Sequence, residues 1–279
     1  MSSLDQKNLL VRVLVAAVGI PLLLFLSVIG HIPFLILVLL AAFLGMMEFG
    51  KIASGNQVQI PRAFLGIAIL AAIYFTYCNR WEILIGLCLF VLFALVVLAL
   101  KQPLDQAAKS LAFSVLGVIY LYLFAFWVLI RQLPAVRGYD YGFGGHWMVS
   151  LFLMVWSCDT AAYFGGKGLG RHKLAPVISP NKTKEGAVFG LLGAFFAAIV
   201  IHYVFFANLR LTDLLVIALL VAILGQLGDV FESLLKRSAQ LKDTSTLIPG
   251  HGGVLDRFDS LLFVSPWVYL YLKWFVYKP

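Results

Sequence analysis

"MSSLDQKNLLVRVLVAAVGIPLLLFLSVIG" (residues 1–30) carries charge at Asp5, Lys7 and Arg12 and then runs through Val, Leu, Ile and Ala with none. The run is longer than a signal-peptide core and lacks a small-x-small cleavage site, so it reads as a retained first membrane helix. About 20 apolar residues cross the hydrocarbon core of a bilayer. On that scale the 279 residues divide into about nine segments, 9–29, 32–49, 62–78, 81–100, 110–130, 146–164, 186–206, 212–235 and 258–276. The composition agrees, at 62% hydrophobic and 12% charged with a mean hydropathy of +0.97, whereas soluble domains carry about 25% charged residues. The fold class expected is all-α, a polytopic integral membrane protein.

Loop charge sets the orientation. With the N-terminus inside, 15 of the 21 Lys and Arg residues fall on the inner side and 6 on the outer side. That places the two polar loops, 165–185 and 236–257, in the cytoplasm and suits a bacterial inner membrane. The net charge of +8 would suggest nucleic acid in a soluble protein. Here it reads as basic loops facing anionic headgroups, so membrane lipids are the expected partners and nucleic acid is not. Cys78, Cys88 and Cys158 sit in or beside apolar runs and read as packing residues. Up to about residue 140 the loops are short and chemically ordinary. The division expected is therefore 1–140 for structural helices and 141–279 for the catalytic region.

Three polar stretches interrupt the hydrocarbon. In "GQLGDVFESLLKR" (225–237), Asp229, Glu232, Ser233, Lys236 and Arg237 lie on one helical face. An ionisable residue in or at the edge of a span is costly and is a functional candidate by default. A Glu232–Lys236 helix pair with snorkelling accounts for those two residues, and poorly for Asp229. In "IPGHGGVLDRFD" (248–259), Pro249 and Gly250 make a turn, and Gly252 and Gly253 let the backbone approach a ligand. Such N–H-rich turns suit phosphate, and His251 could donate to a phosphate oxygen or orient the turn. Asp256 and Asp259 share a face three residues apart, flanking Arg257. With Asp229 they offer three oxygen donors for a hard cation such as Mg²⁺, which works with phosphates. Helix capping explains Asp256 alone but hardly the cluster.

The third stretch is "CDTAAYFGGKGLGRHKLAPVISPNKTKEG" (158–186), where Gly165, Gly166, Gly168 and Gly170 mix with Lys167, Arg171, His172, Lys173, Lys182 and Lys184. "GGKGLG" lacks Walker A spacing, and a basic loop gripping headgroups is the plain alternative for Lys167 and Arg171. "SPNKTKEG" is more pointed. Thr183 can cap a helix, Glu185 stands at its start, and Lys182 and Lys184 then sit at a positive helix N-terminus suited to phosphate. Carboxylates for a divalent cation, cations for phosphates and a membrane location together point to phosphoryl or nucleotidyl transfer to a lipid. The residues alone name neither nucleotide nor lipid.

The order Ser233, Lys236-Arg237, Lys242-Asp243, His251-Gly252-Gly253, Asp256-Arg257, Asp259 resembles, without departure, the diagnostic pattern of CDP-diacylglycerol synthases, or phosphatidate cytidylyltransferases. The resemblance is strong over residues 150–260; the N-terminal half shares only its multi-spanning hydrophobicity. It implies that CTP and phosphatidate, taken from the inner leaflet, give CDP-diacylglycerol and pyrophosphate in phospholipid biosynthesis. It further implies Mg²⁺ dependence, room for a second cation such as K⁺, and a homodimer. By that resemblance Asp229 and Asp256 bind metal, while Asp159, Lys182, Lys236, Arg237, Lys242 and Arg257 surround the nucleotide and the lipid phosphate. A polyprenol kinase would not need the full pattern. A transporter would place its acids near mid-membrane in an inverted repeat.

Overall fold

The computed structural model describes residues 3–245, 247–250 and 252–278, with side chains from Val11 onward. The helices among them are α1 (Ser3–Ile29), α2 (His31–Gly55), α3 (Arg62–Tyr77), α4 (Trp81–Ala99), α5 (Leu104–Tyr122), α6 (Ala125–Val136), α7 (Gly142–Leu169), α8 (Lys184–Phe205), α9 (Leu211–Ser238) and α10 (Leu255–Tyr271). A π-helical turn, Leu272–Val276, follows α10. In hydrocarbon a backbone can satisfy its polar groups only within itself or in a closed barrel, so long apolar runs become helices. Among the described residues, strands occur in an antiparallel hairpin between α7 and α8, β1 (Lys173–Ala175) and β2 (Ser179–Thr183), in register Lys173 with Thr183 and Ala175 with Ser179.

Among the described residues seven stretches are long and apolar enough to cross a bilayer: Val11–Ile29, His31–Gly55, Trp81–Ala99, Leu104–Val136, Gly142–Leu169, Lys184–Phe205 and Leu211–Ser238. The chain is an integral membrane protein. Two of the nine expected segments fall short of that length. The apolar α3 has 16 residues, about 24 Å at 1.5 Å per residue, against a core about 30 Å thick. The last segment is a 17-residue α10 that continues into the π turn. The fifth segment is instead longer than expected, because α5 and α6 join in one 33-residue span. Side-chain exposure fits a lipid surround: α4 has a hydropathy of 2.9 with only 22% of its span buried, and Leu89, Phe90 and Phe93 point outward.

By packing the chain forms two compact units, Met1–Leu129 with Leu235–Arg257, and Ile130–Leu234 with Phe258–Pro279. In the first, α2 packs against α3 and α5, burying Phe34, Val38, Phe49 and Ile52. Gly117 of α5 lies under the Phe49 ring, where a Cβ would stand 2.7 Å from a ring carbon. At its C-terminal end α2 receives the segment after α9. Gly55 lies against the Ala239 backbone, and the Asn56 side chain donates to Ser238 Oγ at 3.1 Å. The C-terminal polar loop therefore packs on an N-terminal helix.

In the second unit α7 and α8 approach closely on small residues, as membrane helices do where nothing but packing and polar contacts draws them together. A Cβ on Gly193 would come within 2.6 Å of Ala161 Cβ, and one on Gly190 within 3.1 Å of Cys158 Sγ. The far end of this unit is pinned by Trp147, which stacks on Phe206 at 4.1 Å between centroids and donates from Nε1 to the Tyr277 hydroxyl at 2.8 Å. Gly228 lets α9 meet the Asp259 carbonyl of α10.

Candidate active site

The loop between α9 and α10, in the first unit, is organised by two carboxylates. Asp256, in the first turn of α10, accepts from Gly253 N–H at 2.7 Å, Thr244 N–H at 3.0 Å and Thr244 Oγ1 at 2.9 Å, all on Oδ2. Its Oδ1 takes the Lys236 ammonium at 2.6 Å. The bond from Gly253, three residues back, is the half of a capping box in which an acidic side chain returns to the residue before the helix. The capping explanation for Asp256 is therefore correct as far as it goes, and the lysine pair is added to it. Lys236 is 9% exposed, and removing one member of a buried ion pair costs about 3–5 kcal/mol because the other is stranded.

The second carboxylate is Glu48 of α2, 2% exposed. Its Oε1 accepts from Ser245 Oγ at 2.6 Å and Val254 N–H at 2.9 Å. Its Oε2 accepts from Thr244 Oγ1 at 2.9 Å and Leu255 N–H at 2.8 Å. Gly253 packs against this group, where a Cβ would stand 2.5 Å from Glu48 Oε1. Gly250 and Gly252 turn the chain at φ +76° and +82°, a region where glycine pays no Cβ penalty, and the Ile248 N–H bonds the Gly252 carbonyl at 3.0 Å. Arg237, Lys242 and Arg257 stand exposed around the loop, with Arg237 donating to the Leu241 carbonyl at 3.3 Å. His251 lies outside the described residues.

In the second unit Lys182, near the end of β2, pairs with Asp229 of α9 at 2.5 Å. Ser233 Oγ, one turn on, lies 3.4 Å from Asp229 Oδ1. Asp259 is within electrostatic reach of Asp229, Asp159 and Lys182. The start of α8 is built as its sequence suggests. Thr183 is the N-cap, its Oγ1 accepting from Gly186 N–H at 3.0 Å. Glu185 accepts from Arg171 N–H at 3.0 Å and meets His172 Nδ1 at 2.5 Å. These bonds hold the hairpin's entry against the helix and leave Lys184 exposed beside the N-terminus.

The structure thus brings Asp159, Lys182, Asp229, Ser233 and Asp259 together in one unit. It brings Lys236, Gly252, Gly253 and Asp256 together in the other. Glu48 was not among the residues singled out from the sequence. The signal was there, a carboxylate at the end of an apolar run, but its partners lie 196 to 207 residues away. For a metal, Asp159, Asp229 and Asp259 have the right chemistry as hard oxygen donors; the charges of Asp229 and Asp159 both act on Asp259, and Lys182, paired with Asp229, opposes them. Asp256 has both oxygens engaged by protein donors. Among the described residues no three acidic, His or Cys side chains already converge on one point.

The sequence matches the Cytidylyltransferase family over residues 10–275. It is 33% identical over 276 residues to a phosphatidate cytidylyltransferase of Bacillus subtilis, covering 97% of this chain and 99% of that one. Similar proteins of the same name in Staphylococcus haemolyticus and Staphylococcus saprophyticus are 31% and 33% identical, over 92% of this chain and 96% of theirs. With a family match spanning almost its whole length, the chain belongs to the cytidylyltransferase family.

Proposed function

We propose that this protein transfers the cytidylyl group of CTP to phosphatidate, forming CDP-diacylglycerol and pyrophosphate, as an Mg²⁺-dependent enzyme of phospholipid biosynthesis. The observation that carries the reading is the pairing of carboxylates with lysines in both clusters, Lys182 with Asp229 and Lys236 with Asp256, beside exposed cations. Such pairs can exchange a carboxylate partner for a phosphate or a cation without stranding either charge.

In this chemistry an oxygen of the phosphatidate phosphate attacks the α-phosphorus of CTP in line, and the bond from that phosphorus to the β-phosphate oxygen breaks to release pyrophosphate. The attacking phosphate is already ionised near neutral pH, so no side chain need act as a strong base. Bound Mg²⁺ neutralises phosphate charge and stabilises the leaving group. Asp229 and Asp259, with Asp159 near them, would hold it, while Asp256 would keep Lys236 in place for a phosphate. Lys182, Lys184, Arg237, Lys242 and Arg257 would stabilise charge on the phosphates, and the N–H-rich turn at Gly252 would approach them closely. A second cation such as K⁺ would share the acidic cluster. The site would face the cytoplasm of a bacterial inner membrane, where CTP is, drawing phosphatidate from the inner leaflet, with the chain acting as a homodimer.

The test uses purified protein in detergent with phosphatidate, Mg²⁺ and CTP labelled separately at the α- and γ-phosphates. The α-label should enter the lipid fraction and the γ-label should leave as pyrophosphate, with both lost on adding EDTA and restored by excess Mg²⁺. γ-Label in lipid would make the protein a kinase. No lipid label from folded protein would remove the reading altogether.

A further inference from the structure

Glu48 makes four hydrogen bonds around the glycine turn that leads into α10, and they join its two sides. Thr244 and Ser245 lie before the turn, Val254 and Leu255 after it. Of the N–H groups at the α10 start, Asp256 takes that of Gly253, and those of Val254 and Leu255 are left to Glu48. An N-cap side chain accepts from the N–H two or three residues beyond it, so the local residue placed to serve both is Gly252, which has no side chain and turns at φ +82°. A carboxylate from α2 does what a local cap cannot, because it closes the neck of the loop onto a fixed helix. The Thr244 hydroxyl also lies 2.9 Å from both Glu48 Oε2 and Asp256 Oδ2. It has one proton to donate, so the two carboxylates share it. Asp256 in turn fixes Lys236.

We infer that Glu48 is a positioning residue for nucleotidyl transfer, setting through Thr244 the Asp256 carboxylate and the Lys236 ammonium paired with it; this rests on the cytidylyl-transfer reading above. Glu48 does not touch substrate. It closes the loop so that Gly252 and the Asp256–Lys236 pair hold one geometry, and Gly253 is the residue whose lack of a Cβ admits it.

The experiment compares wild type, Glu48→Gln, Thr244→Val and the double variant by transfer of α-labelled CTP to phosphatidate, with thermal melts in detergent alongside. Glutamine keeps the volume of glutamate but turns an NH₂ toward either Val254 N–H or Leu255 N–H. Glu48→Gln should lower kcat about 10- to 100-fold while the CTP KM stays within about threefold. Thr244→Val should lower kcat similarly, and the double variant should be no slower than the slower single variant. Unchanged kcat in folded Glu48→Gln overturns the inference, as does a loss fully matched by loss of folded protein. Multiplying losses in the double variant overturn the route through Thr244. If Glu48→Gln does not fold, Thr244→Val decides, and full activity there overturns the proposal. Wild-type protein that places no α-label in lipid brings down the functional reading and this inference together. Wild-type activity with an equally active Glu48→Gln brings down this inference alone.

Discussion

Gly253 shows how one missing atom organises a charged loop. Its backbone N–H donates to Asp256 Oδ2 at 2.7 Å, while the side where a Cβ would project is filled by Thr244 Oγ1 and the Glu48 carboxylate. Gly253→Ala should therefore push the carboxylate off its donors. Overpacking of this kind costs about 1–3 kcal/mol, and here it also leaves buried N–H groups unpaired. A lowered melting temperature in detergent, with a larger fall in transfer rate than in folded fraction, is the expected result. A Gly253→Ala protein with wild-type melting and rate would show that the glycine is not needed for this contact. The glycine was legible in the sequence as a place of close approach, but what it approaches was not. On the side where a Cβ would project, that neighbour is a carboxylate from α2. Sequence spacing finds side chains that share one helix face, such as Asp229 and Ser233, because the helix itself brings them together. It is silent on Glu48, which meets its partners only through the packing of α2 on a loop some 200 residues later.

At the level of elements, the helices were legible because in a bilayer apolar length alone selects them. The shortfall at α3 and α10 has the same origin. Hydropathy registers composition, whereas Arg62 and the turn at Cys78 and Asn79 fix α3 at 16 residues. The start of α8 was legible too, since Thr183 followed by Gly186 and flanked by Glu185 carries local capping chemistry. The hairpin before it was not, because β1 and β2 are three and five residues long and show no alternating apolar pattern. Thr183 joins the two facts, ending β2 and capping α8. Thr183→Ala should cost about 1 kcal/mol at this helix start, and it removes the acceptor for Gly186 N–H. Faster amide exchange at Gly186 and quicker proteolysis at Lys173 should follow, with the transmembrane part of α8 unchanged. Equal exchange in both proteins would mean that the cap is made by another group. Lys182 lies one residue before Thr183, so a frayed start should also weaken the Lys182–Asp229 pair and raise the CTP KM.

For the molecule as a whole, the orientation in the membrane decides whether the chemistry can occur, because CTP is found on one side only. By the positive-inside bias, the asymmetry of 15 against 6 basic residues predicts the loop of Lys242 inside and the turn of Arg210 outside. The bias is counted over short loops near span ends, where it has its orienting effect, and every extramembrane stretch here is short. The hairpin and the α9–α10 loop then share the cytoplasmic side, which is required if both supply cations to phosphates. A membrane-impermeant maleimide tests this in protein whose Cys78, Cys88 and Cys158 have been replaced by alanine. Lys242→Cys should react in inverted inner-membrane vesicles and stay protected in intact cells, whereas Arg210→Cys should show the opposite pattern. The reverse outcome would set the acidic and basic clusters facing away from CTP, and neither the lysine–carboxylate pairs nor the glycine turn could then serve cytidylyl transfer. Labelling of both positions from one side would instead mean that an odd number of crossings does not separate them, and α9, the helix between them, would have to lie along the membrane or turn back within it.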